Sequence, residues 1–214
     1  MQIIHIAIDG PAAAGKGSVA LGLSKALGIP CLDTGAIYRA IALFAYRNGI
    51  DNFVGKLGEA NISAKIINNS THVFIGKEDV TKSIRENEVS QTASKVATMK
   101  PVRDYATKMS KDLAKGQSLI AEGRDICSVV LDKAKYKFYL TADNETRARR
   151  RHAELTEKGK QIPYEQVLEE IIERDTRDKT KGGLVQVPDA VVVDSTKMTV
   201  DQVIEHMLKH VHGK

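Results

Sequence analysis

Residues 10–18 read GPAAAGKGS and lie between an apolar run and an amphipathic stretch. Gly10 and Gly15 let the backbone turn so that successive N–H groups point inward, where they can surround phosphate oxygens. Lys16 adds a mobile positive charge, and the N-terminus of the following helix adds a partial one. The pattern predicts a site for the phosphates of ATP, whereas a plain strand-to-helix turn would need none of this chemistry. The predicted ATP-binding residues are Gly10, Pro11, Ala12, Ala13, Ala14, Gly15, Lys16, Gly17 and Ser18.

The hydroxyl that follows the lysine is displaced by one position. Loops of this type usually carry Ser or Thr directly after the lysine, whereas here Gly17 precedes Ser18. Ser18 is therefore expected to contact a phosphate oxygen or a metal-bound water. We expect Mg²⁺ to arrive with ATP, with Glu122 as a second candidate partner for metal-bound water, and we assign no direct protein ligand.

An alternation of strands and helices must position this loop. Apolar runs predict strands at 3–8, around 29–33, at 118–121, 137–140 and 189–196, and helical periodicity predicts helices at 16–27, 36–49, 89–99, 101–116, 145–157, 164–178 and 200–211. Residues 50–90 differ, because alternating apolar and polar residues broken by turn signals predict a small sheet of two or three strands. Strands that alternate with helices imply an α/β fold with a parallel sheet covered on both faces.

Composition narrows the class of protein only broadly. The 214 residues are 42% hydrophobic and 28% charged, and the net charge of +5 suits a nucleotide, a nucleic acid or a membrane surface as an anionic partner. Cys31 and Cys127 match no metal-binding spacing and are interpreted as free thiols. No signal peptide or long apolar run is recognised. We therefore expect a cytoplasmic protein, monomeric and without a membrane anchor.

Further motifs indicate what receives the phosphate. The segments IDGPAAAGKGS, LDTGAIYR, EGRDI, ERDTRD and VVDST occur in this order, with Ser94 and Arg103 between the second and third. Together they resemble the bacterial cytidylate kinases, a group of nucleoside monophosphate kinases, over nearly the full length of the chain. The resemblance implies ATP-dependent phosphorylation of CMP and dCMP by direct in-line transfer. It also implies a P-loop three-layer core around a five-stranded parallel sheet.

The resemblance further divides the chain, as one unit over residues 1–214, into three parts. Residues 1–38, 100–145 and 183–214 would form the core. Residues 39–99 would form a monophosphate-binding domain that carries the small β-rich insert, and residues 146–182 a helical lid.

Site residues follow from the resemblance position by position. It implies that Arg39, Arg124 and Arg174 bind the acceptor phosphate and that Asp178 receives the sugar hydroxyls. The full set of implied CMP contacts is Thr34, Tyr38, Arg39, Ser94, Arg103, Arg124, Asp125, Arg174 and Asp178. The implied catalytic residues, which would surround the transferred group, are Lys16, Arg124, Arg174 and Arg177.

The base chemistry agrees with these positions. Cytosine offers an amino donor at N4 and acceptors at N3 and O2, so it requires a carboxylate or hydroxyl on one side and a cation on the other. Asp125, Ser94 and Arg103 supply that set, whereas uracil would turn a carbonyl toward Asp125. The chain departs from the family at Lys181, where an arginine is usual, and at Ile126–Ser128, where Ile-Gly-Thr is frequent.

Several alternatives stay open at this level. Arg39 and Ser94 could lie on ordinary helix faces, and Arg174 with Asp178 could form only a surface pair. Other candidates are a UMP or AMP kinase, a shikimate-type small-molecule kinase, and a nucleotide-binding regulator without catalysis. The run RARRR at 147–151 could suggest RNA binding, although a lid helix that faces a triphosphate explains it equally well.

Overall fold

The computed structural model describes residues 3–49, 52–181 and 183–213, and it contains eight strands and seven α-helices in these ranges. The strands are β1 (His5–Asp9), β2 (Cys31–Asp33), β3 (Ile62–Ile67), β4 (Ser70–Ile75), β5 (Glu78–Asp79), β6 (Leu119–Gly123), β7 (Tyr136–Thr141) and β8 (Val191–Asp194). The helices are α1 (Lys16–Leu27), α2 (Thr34–Asn48), α3 (Asn87–Val96), α4 (Lys100–Ala114), α5 (Asn144–Glu157), α6 (Tyr164–Thr180) and α7 (Val200–Val211).

The central sheet has five parallel strands in the order β2-β6-β1-β7-β8. One face packs on α1 and α7, and the other faces the larger core built around α2 and α4. These three layers confirm the predicted α/β fold with a five-stranded parallel sheet. Because β1 is central, the loop that follows it opens beside the carboxyl ends of both β6 and β7, where ligands bind in such sheets.

The segment predicted as a small sheet forms the antiparallel sheet β3-β4-β5. Residues 50 and 51, at the start of that prediction, lie outside the described ranges. Asn68 and Asn69 join β3 to β4 with φ angles of 50° and 60°. Asparagine tolerates this left-handed conformation, which two-residue hairpins require. Thr71 ties the insert to the core, because its Oγ1 accepts from the Asp33 N–H at 2.8 Å.

Helix ends follow local capping chemistry. The helices α1 and α7 have the predicted bounds: Gly28 ends the first with a φ of 65°, and Thr199 with Gln202 forms a capping box at the start of the second. The helix α2 begins two residues earlier than predicted because the Asp33 carboxylate accepts from the Ala36 N–H at 3.0 Å. Within the described residues, no helix combines the length and apolar character of a membrane-crossing segment.

The turn after β6 was not predicted from the sequence. Residues Ile126–Val130 form a short π-helix directly after β6. Asp9, at the end of β1, accepts from the backbone N–H groups of Ile126 and Cys127, both at 2.8 Å. The two partners are more than a hundred residues apart in the chain, so no local pattern predicts this turn. It matters because it begins immediately after Asp125.

Candidate active site

The phosphate-binding loop is held by close backbone packing. A Cβ atom on Gly10, whose φ is +153°, would lie 1.9 Å from the carbonyl oxygen of Leu140, so only glycine fits there. Gly15 has a φ of 90°, and Ala13 also adopts the left-handed region, with a φ of 57°. A non-glycine residue in that region stores strain that is common at ligand-binding loops.

Lys16 lies at the bottom of the loop. Its Nζ donates to the carbonyl oxygen of Pro11 at 2.7 Å, and the side chain is buried. Burial, together with the positive charge of Arg124, lowers the pKa of Lys16 to about 7. Burial also raises the pKa of Glu122 to about 7, with the Asp33 carboxylate acting in the same direction. A bound anion would therefore stabilise the charged forms of Lys16 and Arg124 in this site.

An arginine that the sequence analysis did not single out supports the loop from behind. Arg147, in α5, is buried and donates to the carbonyl oxygen of Ala12 at 2.9 Å. It also donates to Asn144 and forms an ion pair with Asp175 of α6. The predicted role for this run was to face the triphosphate, whereas Arg147 points into the protein and joins α5 and α6 to the loop. Arg147 is one of four arginines in the segment 147–151, and the sequence alone does not distinguish its buried role from theirs.

Two arginines converge on a second residue outside the predicted set. The Asp33 carboxylate pairs with Arg39 at 2.7 Å and with Arg85 at 3.0 Å, while it also caps α2. These cations keep the pKa of Asp33 below its usual value although burial acts in the opposite direction. The Nε of Arg39 is buried and has no hydrogen-bond partner among the described residues. Asp33 stands inside the motif LDTGAIYR, and its place before a helix was the available signal.

A second cluster surrounds Asp178. Arg124 donates through Nε to Asp178 at 2.7 Å, and the Nε of Arg174 lies 3.9 Å from the same oxygen. The Arg174 Nε is likewise buried without a hydrogen-bond partner among the described residues. Burial, followed by the charge of Arg124, lowers the pKa of Arg174 to about 10. Arg124 pairs through Nε and also donates from Nη1 to the Gly123 carbonyl oxygen at 3.3 Å, so its remaining Nη N–H groups can donate to a phosphate.

The three predicted base-reading residues lie on different elements. Arg103, in α4, donates to the Asp125 carboxylate at 2.7 Å, and burial raises the pKa of Asp125. Tyr38 is a half-buried neighbour of this pair, and their charges act on its hydroxyl. Ser94, in α3, is buried, and its Oγ accepts from Arg177 of α6 at 2.8 Å. Arg177 also lines the cleft, and its predicted place beside the transferred phosphoryl group stays a prediction.

One cleft of about 900 Å³ joins both groups of residues. Its lining includes the following predicted residues: Ala12, Ala13, Ala14, Gly15, Lys16, Gly17, Ser18, Thr34, Tyr38, Arg39, Ser94, Glu122, Arg124, Asp125, Arg174, Arg177 and Asp178. Gly10 and Pro11 belong to the base of the loop. Arg103 reaches the cleft through its pair with Asp125 and also borders a separate groove beside α4. Thr34 is fixed by donating to the carbonyl oxygen of Glu122 at 2.8 Å.

The donor atoms beside the loop suit a magnesium ion that arrives with phosphates. Within the described ranges, no three His, Cys, Asp or Glu side chains are grouped for a metal. The exposed hydroxyl of Ser18 and the carboxylate of Glu122 both line the cleft, and a Cβ on Gly17 would lie 3.7 Å from Glu122 Oε1. Mg²⁺ is usually held by one or two oxygen ligands together with substrate phosphates and water, so these residues fit it.

Comparisons with known proteins agree with this geometry. The family model described as cytidylate kinase matches residues 6–213. The cytidylate kinase of Caldicellulosiruptor saccharolyticus is 43% identical over 98% of this chain and 96% of its own length. That of Thermosipho melanesiensis is 42% identical over 98% of this chain and 97% of its own. A third, from Shouchella clausii, is 43% identical over 95% and 94%.

Solved structures support the fold alone. A shikimate kinase from Bacteroides thetaiotaomicron covers 100% of both chains with a TM-score of 0.51 and 11% identity. A protein from Eubacterium ventriosum described as uncharacterized has a TM-score of 0.56 with 12% identity and covers 100% of both chains. The full-length family match and the relatives above 40% identity are decisive: this chain belongs to the cytidylate kinase family of phosphotransferases.

Proposed function

We propose that this protein transfers the terminal phosphoryl group of ATP to CMP and dCMP, giving ADP and the corresponding diphosphate. One observation carries the proposal: a single cleft contains the phosphate-binding loop with Lys16 and, facing it, the Asp125 carboxylate paired with Arg103. The first group suits a nucleoside triphosphate and the second suits the edge of cytosine. Family membership supports the same reaction.

The donor side would hold ATP mainly through fixed groups. The amides of the loop and the N-terminus of α1 face the phosphates, and Lys16 supplies the mobile charge. Arg147 keeps the Ala12 carbonyl in place and thereby prevents the loop from relaxing. The lowered pKa of Lys16 supports this role, because phosphate charges would return the lysine to its protonated form.

The acceptor side would hold the monophosphate with side chains. Arg39 and Arg174 each carry a buried Nε without a hydrogen-bond partner among the described residues, which suits an incoming phosphate. Arg124 can present its remaining Nη N–H groups because Asp178 engages its Nε. The same Asp178 would accept from the sugar hydroxyls. Transfer would then depend on alignment of donor and acceptor and on charge neutralisation by Lys16 and the surrounding arginines. Those arginines are Arg124, Arg174 and Arg177.

Mg²⁺ is part of the proposal. Ser18 and Glu122 would hold it through water while the ATP phosphates supply the remaining ligands. The chemistry that Mg²⁺ would supply there is neutralisation of the negative charge on the ATP phosphates during transfer. Glu122 must be ionised to contribute, and its pKa, which burial raises to about 7, would fall beside a cation.

Selection of the base would depend on polar pairing. Uracil would place a carbonyl oxygen against Asp125 and leave the carboxylate without a donor. Such a mismatch inside a buried site costs roughly 1–3 kcal/mol per group. UMP is therefore a weaker acceptor in this account. Adenine presents a similar edge on a larger ring, so pocket size must exclude AMP.

Further parts of the proposal concern the whole molecule. The three-part division into core, monophosphate-binding domain (39–99) and lid (146–182) is supported by the separate apolar cluster that joins α5 to α6. Operation as a monomer in the cytoplasm is proposed with it, and two buried free cysteines suit a reducing compartment.

A panel of acceptors tests the function. ADP formation from Mg²⁺-ATP is followed with CMP, dCMP, UMP, AMP and shikimate in parallel. We expect rapid turnover with CMP and dCMP, slower turnover with UMP, and little with AMP or shikimate. ATP binding without turnover on any acceptor would instead indicate a nucleotide-binding regulator.

A further inference from the structure

Asp9 is a buried carboxylate that the proposed mechanism does not use. It is the last residue of β1, immediately before Gly10, and it is fully buried. Its two oxygens accept from the backbone N–H groups of Ile126 and Cys127, each at 2.8 Å. Burial of a carboxylate is costly unless hydrogen bonds compensate for the lost water. Both oxygens of Asp9 are therefore committed to a turn that is more than a hundred residues away in the chain.

The two N–H groups belong to the start of the short π-helix. Ile126 and Cys127 are the first two residues of that helix, and both are buried. The first N–H groups of a helix have no carbonyl partner within it, so they need an acceptor from outside. That acceptor is usually the side chain of the residue just before the helix. Here the acceptor is Asp9, which caps the turn from a different strand.

The residue in the usual capping position is Asp125, the predicted base-reading carboxylate. Aspartate is one of the preferred capping residues at that position, yet the side chain of Asp125 makes no capping hydrogen bond. Its carboxylate instead pairs with Arg103 at 2.7 Å and lines the cleft. Because Asp9 already supplies the acceptor for the turn, the Asp125 carboxylate is left for the cleft.

Loss of Asp9 would set the two tasks of Asp125 against each other. The N–H groups of Ile126 and Cys127 would then be buried without an acceptor, which is unfavourable. Asp125 stands where an aspartate side chain can reach such groups. If it turned toward them, its carboxylate would leave Arg103 and the edge of the base.

We infer that Asp9 is a positioning residue for base selection, because it caps the 126–130 turn and thereby leaves the Asp125 carboxylate free to face cytosine. The inference rests on the proposed function, since it depends on Asp125 reading the base. Asp9 is also joined directly to Gly10 of the phosphate-binding loop. An effect on the base must therefore be separated from an effect on ATP.

Asp9→Asn tests this role. The side chain keeps its size, but only its oxygen can accept, and its NH2 group would face the second backbone N–H. We expect the ratio of kcat/KM for CMP to that for UMP to fall roughly tenfold. A loss that acts through the phosphate-binding loop would lower both values equally, so it cancels in this ratio.

A double-mutant cycle shows whether Asp9 acts through Asp125. In the Asp125→Ala background no carboxylate remains to be positioned, so adding Asp9→Asn should change the ratio by less than about twofold. A native ratio in Asp9→Asn would overturn the inference. A further fall of about tenfold in the double variant would overturn it as well, because the two residues would then act independently.

Asp175→Asn is the matched control. Asp175 is another buried carboxylate, and it supports the phosphate-binding loop through Arg147. We expect this variant to lower turnover with both acceptors and to leave the CMP to UMP ratio unchanged. A fall in the ratio as large as that in Asp9→Asn would indicate a general effect of removing a buried charge and would contradict the specific role of Asp9.

Thermal unfolding shows whether each variant is folded. Asp9→Ser, which also retains one acceptor oxygen, is a second variant and should lower the ratio in the same direction. If neither Asp9 variant folds, Asp9 supports the whole fold and the specific role is wrong. The proposed function fails separately: it is wrong if the native protein phosphorylates no nucleotide in the acceptor panel. If CMP is phosphorylated and Asp9→Asn keeps the native ratio, only the role of Asp9 is wrong.

Discussion

The donor side and the acceptor side of the cleft are built in different ways. The donor side is nine consecutive residues whose backbone is fixed by packing against Leu140 and by Arg147. The acceptor side is assembled from side chains on α2, α3, α4, α6 and the turn after β6, and its arginines are paired with protein groups. The pairs are Arg39–Asp33, Arg103–Asp125, Arg124–Asp178 and Arg177–Ser94.

This difference separates two kinds of preorganisation. On the donor side, the backbone amides of residues 10–18 are already fixed in place, so we expect little movement when ATP binds. On the acceptor side, some pairs orient an arginine and persist, as Asp178 does through the Nε of Arg124. Others occupy the guanidinium end that phosphate would use, as Asp33 does with Arg39. If Arg39 binds the acceptor phosphate as proposed, the phosphate would replace Asp33 at Nη2 when it binds.

The largest effect is expected on the donor side. Lys16→Ala should lower kcat by roughly 10³-fold, because it removes the only loop side chain that neutralises the transferred charge. The fold should survive, since burial already disfavours the charged lysine. Steady-state ADP formation and thermal unfolding measure the two quantities. Lys25→Ala, on the exposed side of α1, is the matched control, and near-native turnover of Lys16→Ala would remove the loop from the mechanism.

The next effect tests an orienting pair. Asp178→Asn leaves Arg124 and Arg174 without their buried carboxylate, so we expect kcat/KM for CMP to fall about 10²-fold and the free energy of unfolding to fall by about 2 kcal/mol. Chemical denaturation and initial rates check both. Asp189→Asn, which breaks an exposed pair with Lys137, should change the unfolding free energy by less than about 1 kcal/mol. Equal effects in the two variants would place Asp178 in an ordinary surface pair.

A smaller effect of opposite sign tests a competing pair. Asp33→Asn retains an acceptor for the cap of α2 but removes the charge that holds the Nη2 of Arg39. We expect KM for CMP to fall by roughly threefold and KM for ATP to stay constant. A rise in KM for CMP would mean that Asp33 orients Arg39 rather than competing with the acceptor phosphate.

The smallest expected effect is the uptake of protons when ATP binds. Burial lowers the pKa of Lys16 to about 7, and the phosphates of ATP would raise it. A pKa that rises on binding means proton uptake, and affinity for ATP should weaken as pH increases above 7. Calorimetry with Mg²⁺-free ATP in buffers of different ionisation enthalpy should show uptake of part of one proton at pH 7. Lys16→Met should abolish most of it, and proton release in the native protein would contradict the direction.

The sequence predicts the donor side better than the acceptor side for a physical reason. GPAAAGKGS carries its own glycines, lysine and helix start in one stretch, and α1 and α7 have the predicted bounds because their caps are local. The π-helix at Ile126–Val130 depends on Asp9, which is distant in the chain. Arg85 and Arg147 likewise gain their roles only through partners on other elements.

The site residues themselves remain predictions. Most of the predicted site residues line one cleft. The resemblance of the motifs to a known family was sufficient to predict that grouping. It does not indicate that Arg177 engages Ser94, since the two residues are 83 positions apart and their contact depends on how α6 lies against α3. Each assigned contact with ATP or CMP awaits measurement.

One measurement tests the central claim that Asp125 selects cytosine. The ratio of kcat/KM for CMP to that for UMP is determined for the native protein and for Asp125→Ala, with the exposed Asp104→Ala as control. We expect the ratio to favour CMP strongly in the native protein and to fall about 10²-fold in Asp125→Ala, because only cytosine donates to the carboxylate. An equal loss for both acceptors, with the ratio unchanged, would contradict this account of base selection.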